Sequence, residues 1–350
     1  MADGNRLYSY DVVRVVAMFF VIAVHSLSVV DTSTNIGFLF FATGQALFFT
    51  ANALFFMMSG KFNVRECKTD QDLKRYFIKK IRNIMLPIFI LFFIRTLYDL
   101  FPNYGSIFHF GKEYIENSLG LYAGIEYWFV FTLVGFLLVA PFLAPSFLNM
   151  SKFAQKIFLA IGLIYNLFVL FSSNYDFPFS WGYLFSGFAF TFSIGTFIDK
   201  LFTTKKQVIA MLVAALLSLM VTVWFAWNGK IEGIHDISPF YTLIAIGIYL
   251  LIIYLFKNSK PSKIISFMAE HSFSVYLVHM MVLMPITKML PPDTGLSTIA
   301  VYFGVVVVVF LLSLLLAVTI DKLIVKPAQK LFDKIVPMPK KETSTMINSI

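Results

Sequence analysis

The sequence predicts an all-α protein, a polytopic membrane helix bundle of about ten transmembrane helices with both termini in the cytoplasm. Hydrophobic residues make up 59% of the 350-residue chain and charged residues 13%, a composition too apolar for a soluble globular protein. Apolar runs of about 20 residues, long enough to cross a bilayer core of about 30 Å, recur along the chain. Lys and Arg are concentrated in alternate loops between these runs, as in multi-pass membrane proteins.

Ten apolar runs of span length, separated by polar breaks, give the predicted helices. They cover residues 10–30, 38–59, 84–101, 127–148, 156–173, 182–199, 207–227, 238–256, 265–290 and 298–320. The first run is longer than the core of a signal peptide, and no small-residue cleavage pattern follows it before Asp31. We therefore expect it to stay as the first span.

The basic residues set the predicted orientation. With the N-terminus inside, 23 of the 28 Lys and Arg residues fall in cytoplasmic segments, whereas the external loops hold only Lys112 and Lys230. The net charge of +9 is therefore a signal of topology and not of nucleic-acid binding. We expect a multi-pass protein of the bacterial inner (cytoplasmic) membrane. One transmembrane domain covers residues 1–325, and a cytoplasmic tail, amphipathic and then flexible, covers residues 326–350.

Three ionisable residues lie in the otherwise apolar first span: Asp11, Arg14 and His25. Ionisable groups inside a span usually face the bundle interior or an aqueous cavity, so they are functional candidates. Arg14 and His25 are eleven residues apart, which places them on one helix face with about 16 Å between them along the axis. Two simpler roles stay open: an ion pair of Asp11 with a snorkelling Arg14, and an interhelical hydrogen bond for His25.

Depth arithmetic brings further polar residues toward His25. At about 1.5 Å per residue from the cytoplasmic edge, His279 on the ninth helix lies at nearly the same level. Arg95 on the third helix lies slightly lower, and Glu126 opens the fourth helix from the outside. We expect these residues to converge in the outer half of the bundle; the alternative for Arg95 is that its side chain snorkels to the interface.

Two aromatic residues and a serine accompany this group. Ser272, Tyr276 and His279 share a helix face through their i,i+4 and i,i+3 spacing. Trp128 lies near the outer end of the fourth span, where it is either part of the site or part of the interfacial aromatic belt. For Tyr276, the alternative is a packing contact between helices.

Other chemistries find no support in the sequence. Gly-rich phosphate loops, G-x-S-x-G elbows and H-E-x-x-H patterns are absent, which argues against serine hydrolases and zinc peptidases. The lone Cys67 has no intrachain partner for a disulfide or a thiolate metal cluster. His109 and His235 fall in external loops and lack metal-ligand spacing, and His271 lies near the start of the ninth helix; we expect no metal and give these three residues no role.

The pattern of Asp11, Arg14 and His25 resembles the first-helix signature of the membrane-bound acyltransferase-3 family, in which ten residues separate the Arg from the His. Further similarities follow in the family's order from about residue 8 to 285. They lie at 55–60 (FFMMSG), at 76–87 (YFIKKIRNIMLP), at 126–129 (EYWF) through Pro141, and at 272–279 (SFSVYLVH). Where the family commonly has Arg-x-x-Arg, this chain has Lys79-x-x-Arg82. The Lys79 ammonium can bind a phosphate as a point charge but lacks the two parallel hydrogen bonds that an Arg guanidinium offers.

The resemblance implies an O-acyltransferase with acyl-CoA as its donor, acetyl-CoA being expected. It implies a hydroxyl of a cell-surface or lipid-linked glycan on the outer side as the acceptor. Arg14, Lys79 and Arg82 would bind the CoA phosphates; the alternative for Lys79 and Arg82 is that the eight basic residues between 60 and 83 only set the topology. His25 would take the hydroxyl proton, because an imidazole is a suitable general base near neutral pH, and Glu126 would orient it or bind the acceptor. The residues expected to bind substrate are Asp11, Arg95, Trp128, Ser272, Tyr276 and His279.

The sequence leaves two rival functions open. A transporter or flippase for a glycan or lipid would explain the helices and the intramembrane charges equally well, but not the ordered motifs. A membrane subunit that only scaffolds a synthase would tolerate substitution of Arg14 and His25. The sequence fixes neither the oligomeric state nor the choice between direct transfer and an acyl-enzyme, and membrane lipid is the other expected partner.

Overall fold

The computed structural model describes residues 8–100, 107–118, 127–174, 185, 187–229, 238–290 and 295–339. Over these residues it contains helices and no β-strand, which confirms the predicted all-α class. The first seven helices are α1 (Tyr8–Ser26), α2 (Asn35–Phe48), α3 (Thr50–Asn63), α4 (Asp70–Lys80), α5 (Leu86–Leu100), α6 (Ile107–Ser118) and α7 (Trp128–Leu148). The others are α8 (Lys152–Asn174), α9 (Gly187–Ile194), α10 (Ile198–Leu201), α11 (Lys205–Trp227), α12 (Pro239–Phe256), α13 (Lys263–Met289), α14 (Ser297–Ile320) and α15 (Lys326–Ile335).

Eight helical stretches in the described part of the chain are long and apolar enough to cross a membrane. They are Tyr8–Val29, Asn35–Asn63, Trp128–Leu148, Lys152–Ser172, Lys205–Trp227, Pro239–Phe256, Lys263–Met289 and Ser297–Ile335. The polytopic membrane bundle is therefore confirmed, and the predicted count of ten is approximate. The other two predicted spans, 84–101 and 182–199, correspond to the 15-residue α5 and to the short helices α9 and α10.

The chain forms two compact units. The first contains Met1–Val64 and Ser146–Val318, and the second contains Arg65–Pro145 and Thr319–Ile350. In the first unit, α1 is the central helix, because it packs against α2, α3, α12 and α13. Small residues on its inner face allow these approaches: Ala17 and Ala23 are completely buried.

Helices α3 and α9 of the first unit are in backbone contact through two glycines. A Cβ atom on Gly60 would overlap the carbonyl oxygen of Phe192, and one on Gly195 would overlap that of Met57. Only residues without side chains permit so close an approach between two helices. As a result, Lys61 at the end of α3 lies beside the start of α10.

The segment that follows the C-terminal end of α1 is tied to the start of α14. The Asp31 carboxylate accepts a hydrogen bond from the backbone N–H of Gly295 at 2.6 Å, and the Asp31 N–H donates to the Thr298 hydroxyl at 3.0 Å. The Gly295 N–H and the Ser33 donors lower the pKa of Asp31 below its usual range, because they stabilise the ionised form. This connection fixes the end of α1 nearest to His25.

In the second unit, two π-helical turns interrupt long helices. Ile81–Met85 joins α4 to α5, and Asp321–Val325 joins α14 to α15. A proline follows each turn, Pro87 and Pro327, and its ring would clash with the carbonyl four residues before it in a regular α-helix. The wider turn accommodates that ring without ending the helix.

Candidate active site

Two imidazoles from different helices meet in the first unit. The rings of His25 on α1 and His279 on α13 have centroids 5.2 Å apart and are tilted by 43°. His279 is completely buried, and His25 is half-buried. The two histidines that the depth arithmetic assigned to one level are thus in direct contact.

The orientation of the His279 ring follows from its own helix. Its Nδ1 atom lies 2.5 Å from the carbonyl oxygen of Tyr276. Because a carbonyl can only accept, Nδ1 carries the proton in the neutral ring and Nε2 is the basic nitrogen. The Tyr276 ring packs 5.7 Å from that of His279, and the buried Ser272 hydroxyl donates to the carbonyl of Ala269 at 3.0 Å. The structure therefore brings His25, Tyr276 and His279 together.

Arg14 lies about three turns below His25 on α1. Its Nη1 atom is 3.3 Å from Oδ1 of the buried Asp11, whose Oδ2 accepts from the Ser266 hydroxyl at 3.2 Å. The guanidinium also lies over the Phe62 ring, 5.2 Å from its centroid. The ion pair that the sequence offered as an alternative is present. The Arg14 side chain is nevertheless 32% exposed, which leaves part of it accessible to a ligand.

A second charged cluster lies at the same end of the first unit. Lys61 donates to both carboxylate oxygens of Asp199, at 2.8 and 2.7 Å, and the Tyr10 hydroxyl donates to the same carboxylate. The Lys61 and Asp199 side chains are only 15% and 8% exposed. The Tyr249 ring packs 6.3 Å from that of Tyr10. The sequence pattern does not single out this cluster, because Lys61 falls among the loop charges that set the topology; the signal was a lysine two residues after the apolar run 38–59.

The second unit holds the predicted phosphate-binding Arg82, and its guanidinium has protein acceptors. Nε and Nη2 donate to the two carboxylate oxygens of Asp333 on α15, at 2.6 and 2.8 Å, and Nη1 donates to the Asn83 side chain at 2.7 Å. The Gln329 side chain donates to the Arg82 carbonyl at 3.2 Å. The Arg82 hydrogen bond lowers the pKa of Asp333 below its usual range. A phosphate reaching this fork must exchange with a carboxylate that already fills it.

The segment before Arg82 concentrates positive charge. Burial, together with the neighbouring Arg65 and Lys79 cations, lowers the pKa of Lys80 to about 8. Burial also lowers the pKa of Lys79. The Arg65 and Lys80 cations lie over the Tyr76 ring at 5.2 and 5.0 Å, and the Tyr76 hydroxyl donates to the Leu137 carbonyl at 2.8 Å. These cations repel one another, so a bound polyanion would stabilise the group.

The remaining predicted residues lie in the second unit or outside the described residues. Arg95 donates to Asp99 on its own helix at 2.6 Å, and its guanidinium lies 5.9 Å from the centroid of the Tyr127 ring. Trp128 is exposed and packs edge-on against Phe129. Glu126 and His235 lie outside the described residues.

The structure also describes His109 and His271. His109 is exposed on α6, and His271 is buried on α13, where it packs 4.9 Å from the Phe267 ring. Within the described ranges, no three His, Cys, Asp or Glu side chains are grouped so that they could hold a metal ion.

Comparison with known proteins gives one family. The acyltransferase-3 family model, described as an acyltransferase domain, matches residues 7–318, nearly the whole chain. Neither the curated proteins nor the solved structures include one that matches.

Proposed function

The chain belongs to the acyltransferase-3 family, and we propose that this multi-pass membrane acyltransferase takes its acyl group from cytoplasmic acyl-CoA. We propose acetyl or another short acyl as the transferred group. The proposed acceptor is a hydroxyl of a cell-surface or lipid-linked glycan on the outer side of a bacterial inner membrane.

The observation that carries this proposal is the contact between the His25 and His279 rings. His25 lies on α1, the helix that also carries Arg14. Arg14 binds the donor's phosphates, and its partial exposure permits that contact. The 16 Å or so between Arg14 and His25 along α1 matches a donor that enters at one end and reacts toward the other.

In the proposed reaction, His25 acts as general base. It takes the proton of the acceptor hydroxyl as the oxygen attacks the thioester carbonyl. The C–S bond then breaks, the ester forms, and the proton passes from the His25 imidazolium to the CoA thiolate. His279, whose neutral ring has its proton on Nδ1, offers Nε2 as a hydrogen-bond acceptor beside His25.

The overall reaction is testable in membranes. Membranes containing the protein are incubated with acetyl-CoA labelled in the acetyl group, and the glycan and lipid-linked sugar fractions are then counted. We expect label in one of these fractions, released by mild alkali as an ester would be, and none in membranes from cells that lack the gene. A glycan transporter or flippase would leave these fractions unlabelled, and that result would contradict the proposal. The acceptor is the glycan that loses an ester in the deletion strain.

Donor binding is expected to weaken at alkaline pH because of Lys80. Above about pH 8 this lysine loses its proton, so the segment 79–82 carries one positive charge fewer. We expect CoA affinity to fall several-fold between pH 7 and pH 9, and the Lys80→Arg variant to lose most of that decline, since Arg stays charged. The measurement is a titration of CoA into the purified protein at both pH values.

A loss of protein stability through deprotonation of Lys80 cannot explain such a decline in CoA affinity. The folded pKa of about 8 lies below the ordinary value of 10.5, so the folded state binds fewer protons than the unfolded state between these pH values. The free energy of unfolding therefore rises with pH through this window as far as Lys80 is concerned. An equal decline in the wild type and in Lys80→Arg would exclude Lys80 as its cause.

A further inference from the structure

We infer that the cluster of Tyr10, Lys61 and Asp199 positions Arg14 for the donor, so that Asp199 sets the affinity for CoA without touching it. This inference rests on the proposed function, in which Arg14 binds the donor's phosphates. Asp199 is a positioning residue, because it acts only through the side chains between itself and Arg14.

An unbroken series of contacts joins Asp199 to Arg14. The Asp199 carboxylate holds the Lys61 ammonium and the Tyr10 hydroxyl. Phe62 follows Lys61 on α3 and packs edge-on against the Tyr10 ring, with centroids 5.1 Å apart. The Arg14 guanidinium lies over the same Phe62 ring, 5.2 Å from its centroid. Moving Asp199 would therefore move the aromatic surface on which Arg14 rests.

Three helices are joined by this one carboxylate. Asp199 belongs to α10, Lys61 to the end of α3, and Tyr10 to the first turns of α1. Tyr10 and Arg14 are four residues apart and lie on neighbouring positions of one face of α1. The cluster thus fixes the register of α1 against α3 at the level where Arg14 projects.

Stability alone is a poor explanation for this ion pair. Buried ion pairs pay a large desolvation cost, and well-packed apolar residues of similar volume often replace them without loss of stability. An apolar pair cannot supply the directional hydrogen bonds that the carboxylate accepts from the ammonium and the phenol. These hydrogen bonds keep the Phe62 ring under the Arg14 guanidinium. The cation–π contact with Phe62 and the ion pair with Asp11 then position Arg14 together.

The test is a double-mutant cycle between the cluster and Arg14. The variant Lys61→Met/Asp199→Leu removes both charges at once, so that neither remains buried and unpaired. Four proteins are purified: the wild type, this pair, Arg14→Ala, and the triple variant. CoA is titrated into each by calorimetry, and the thermal unfolding of each is recorded to confirm that it is folded.

We expect the pair to weaken CoA binding about tenfold in the wild-type background and less than about twofold in the Arg14→Ala background, a coupling typical of interacting neighbours. At saturating acetyl-CoA, the transfer rate of the pair should stay near that of the wild type. Lys61→Arg keeps the ion pair and should keep the affinity. Lys200→Gln, at the exposed neighbour of Asp199, is the control that should change nothing.

The titrations distinguish failure of the proposed donor from failure of the inference about Asp199. A wild type that binds no CoA would overturn the proposed donor and the inference with it. A wild type that binds CoA, together with a pair that binds equally well or loses the same factor in both backgrounds, would overturn the inference alone. In that case Asp199 would have a structural role only.

Discussion

Replacing His25 with alanine is expected to lower acyl transfer by about 10²- to 10⁴-fold, the usual contribution of a general base. In the proposed reaction, the variant lacks the nitrogen that takes the hydroxyl proton, whereas the donor's phosphates bind elsewhere. CoA affinity should therefore stay within about twofold of the wild type, because a group that acts on the reacting hydroxyl contributes little to ground-state binding. The measurement compares the rate of label transfer and the CoA affinity in the same membrane preparation.

The control for this variant is His109→Ala, which removes an exposed histidine on α6. It should leave both quantities unchanged. Transfer by His25→Ala at more than about a tenth of the wild-type rate would remove His25 from the proposed role of base.

Replacing Arg14 with alanine is expected to weaken CoA binding by about 10- to 100-fold, because a hydrogen bond to a charged group contributes on the order of 1.5–3 kcal/mol. Arg14→Lys should recover part of the affinity, since an ammonium still attracts phosphate but lacks the bidentate geometry. Unlike the His25 variant, both should approach the wild-type transfer rate when acetyl-CoA is saturating.

Lys205→Ala is a matched control for Arg14→Ala, because it also removes one positive charge, from an exposed position at the start of α11. It tests whether the loss depends on net charge alone. Equal losses of CoA affinity in the two variants would exclude a specific donor contact for Arg14. The thermal stability of Arg14→Ala must be recorded as well, since that change removes an ion-pair partner of the buried Asp11.

The parts of the fold that depend on composition and on helical geometry were predictable from sequence. Lipid as solvent forces the backbone into helices, so apolar runs of span length suffice to predict the bundle. The contact between His25 and His279 could be anticipated because each helical residue adds a constant rise, so depth can be counted along a span. The local pair of Arg95 and Asp99 has the i,i+4 spacing that favours such a contact.

Long-range ionic partners were not predictable in the same way. Lys61 and Asp199 are 138 residues apart, and Arg82 and Asp333 are 251 residues apart. In the sequence, each of these four looks like an ordinary charge near the cytoplasmic end of a helix. The pairings depend on which helices are neighbours, and for Lys61 on the glycine contact between α3 and α9, which no local pattern specifies.

The predicted spans 182–199 and 84–101 differ from the helices in the structure for physical reasons that the apolar pattern does not show. The run 182–199 is apolar enough for a span, but α9 ends at Ile194, just before Gly195 makes its close approach to Met57. The run 84–101 begins inside a π-helical turn that accommodates Pro87, so its regular α-helical part, α5, begins at Leu86.

The proposed donor path runs along α1 from Arg14 to the pair of His25 and His279. It is tested most directly by photolabelling with an acyl-CoA that carries a diazirine in its acyl chain, followed by mass spectrometry of the labelled peptides. We predict label on α1 near His25 and on α13 near His279, abolished by excess unlabelled acetyl-CoA. Label that unlabelled acetyl-CoA removes but that lies outside both helices would contradict this donor path.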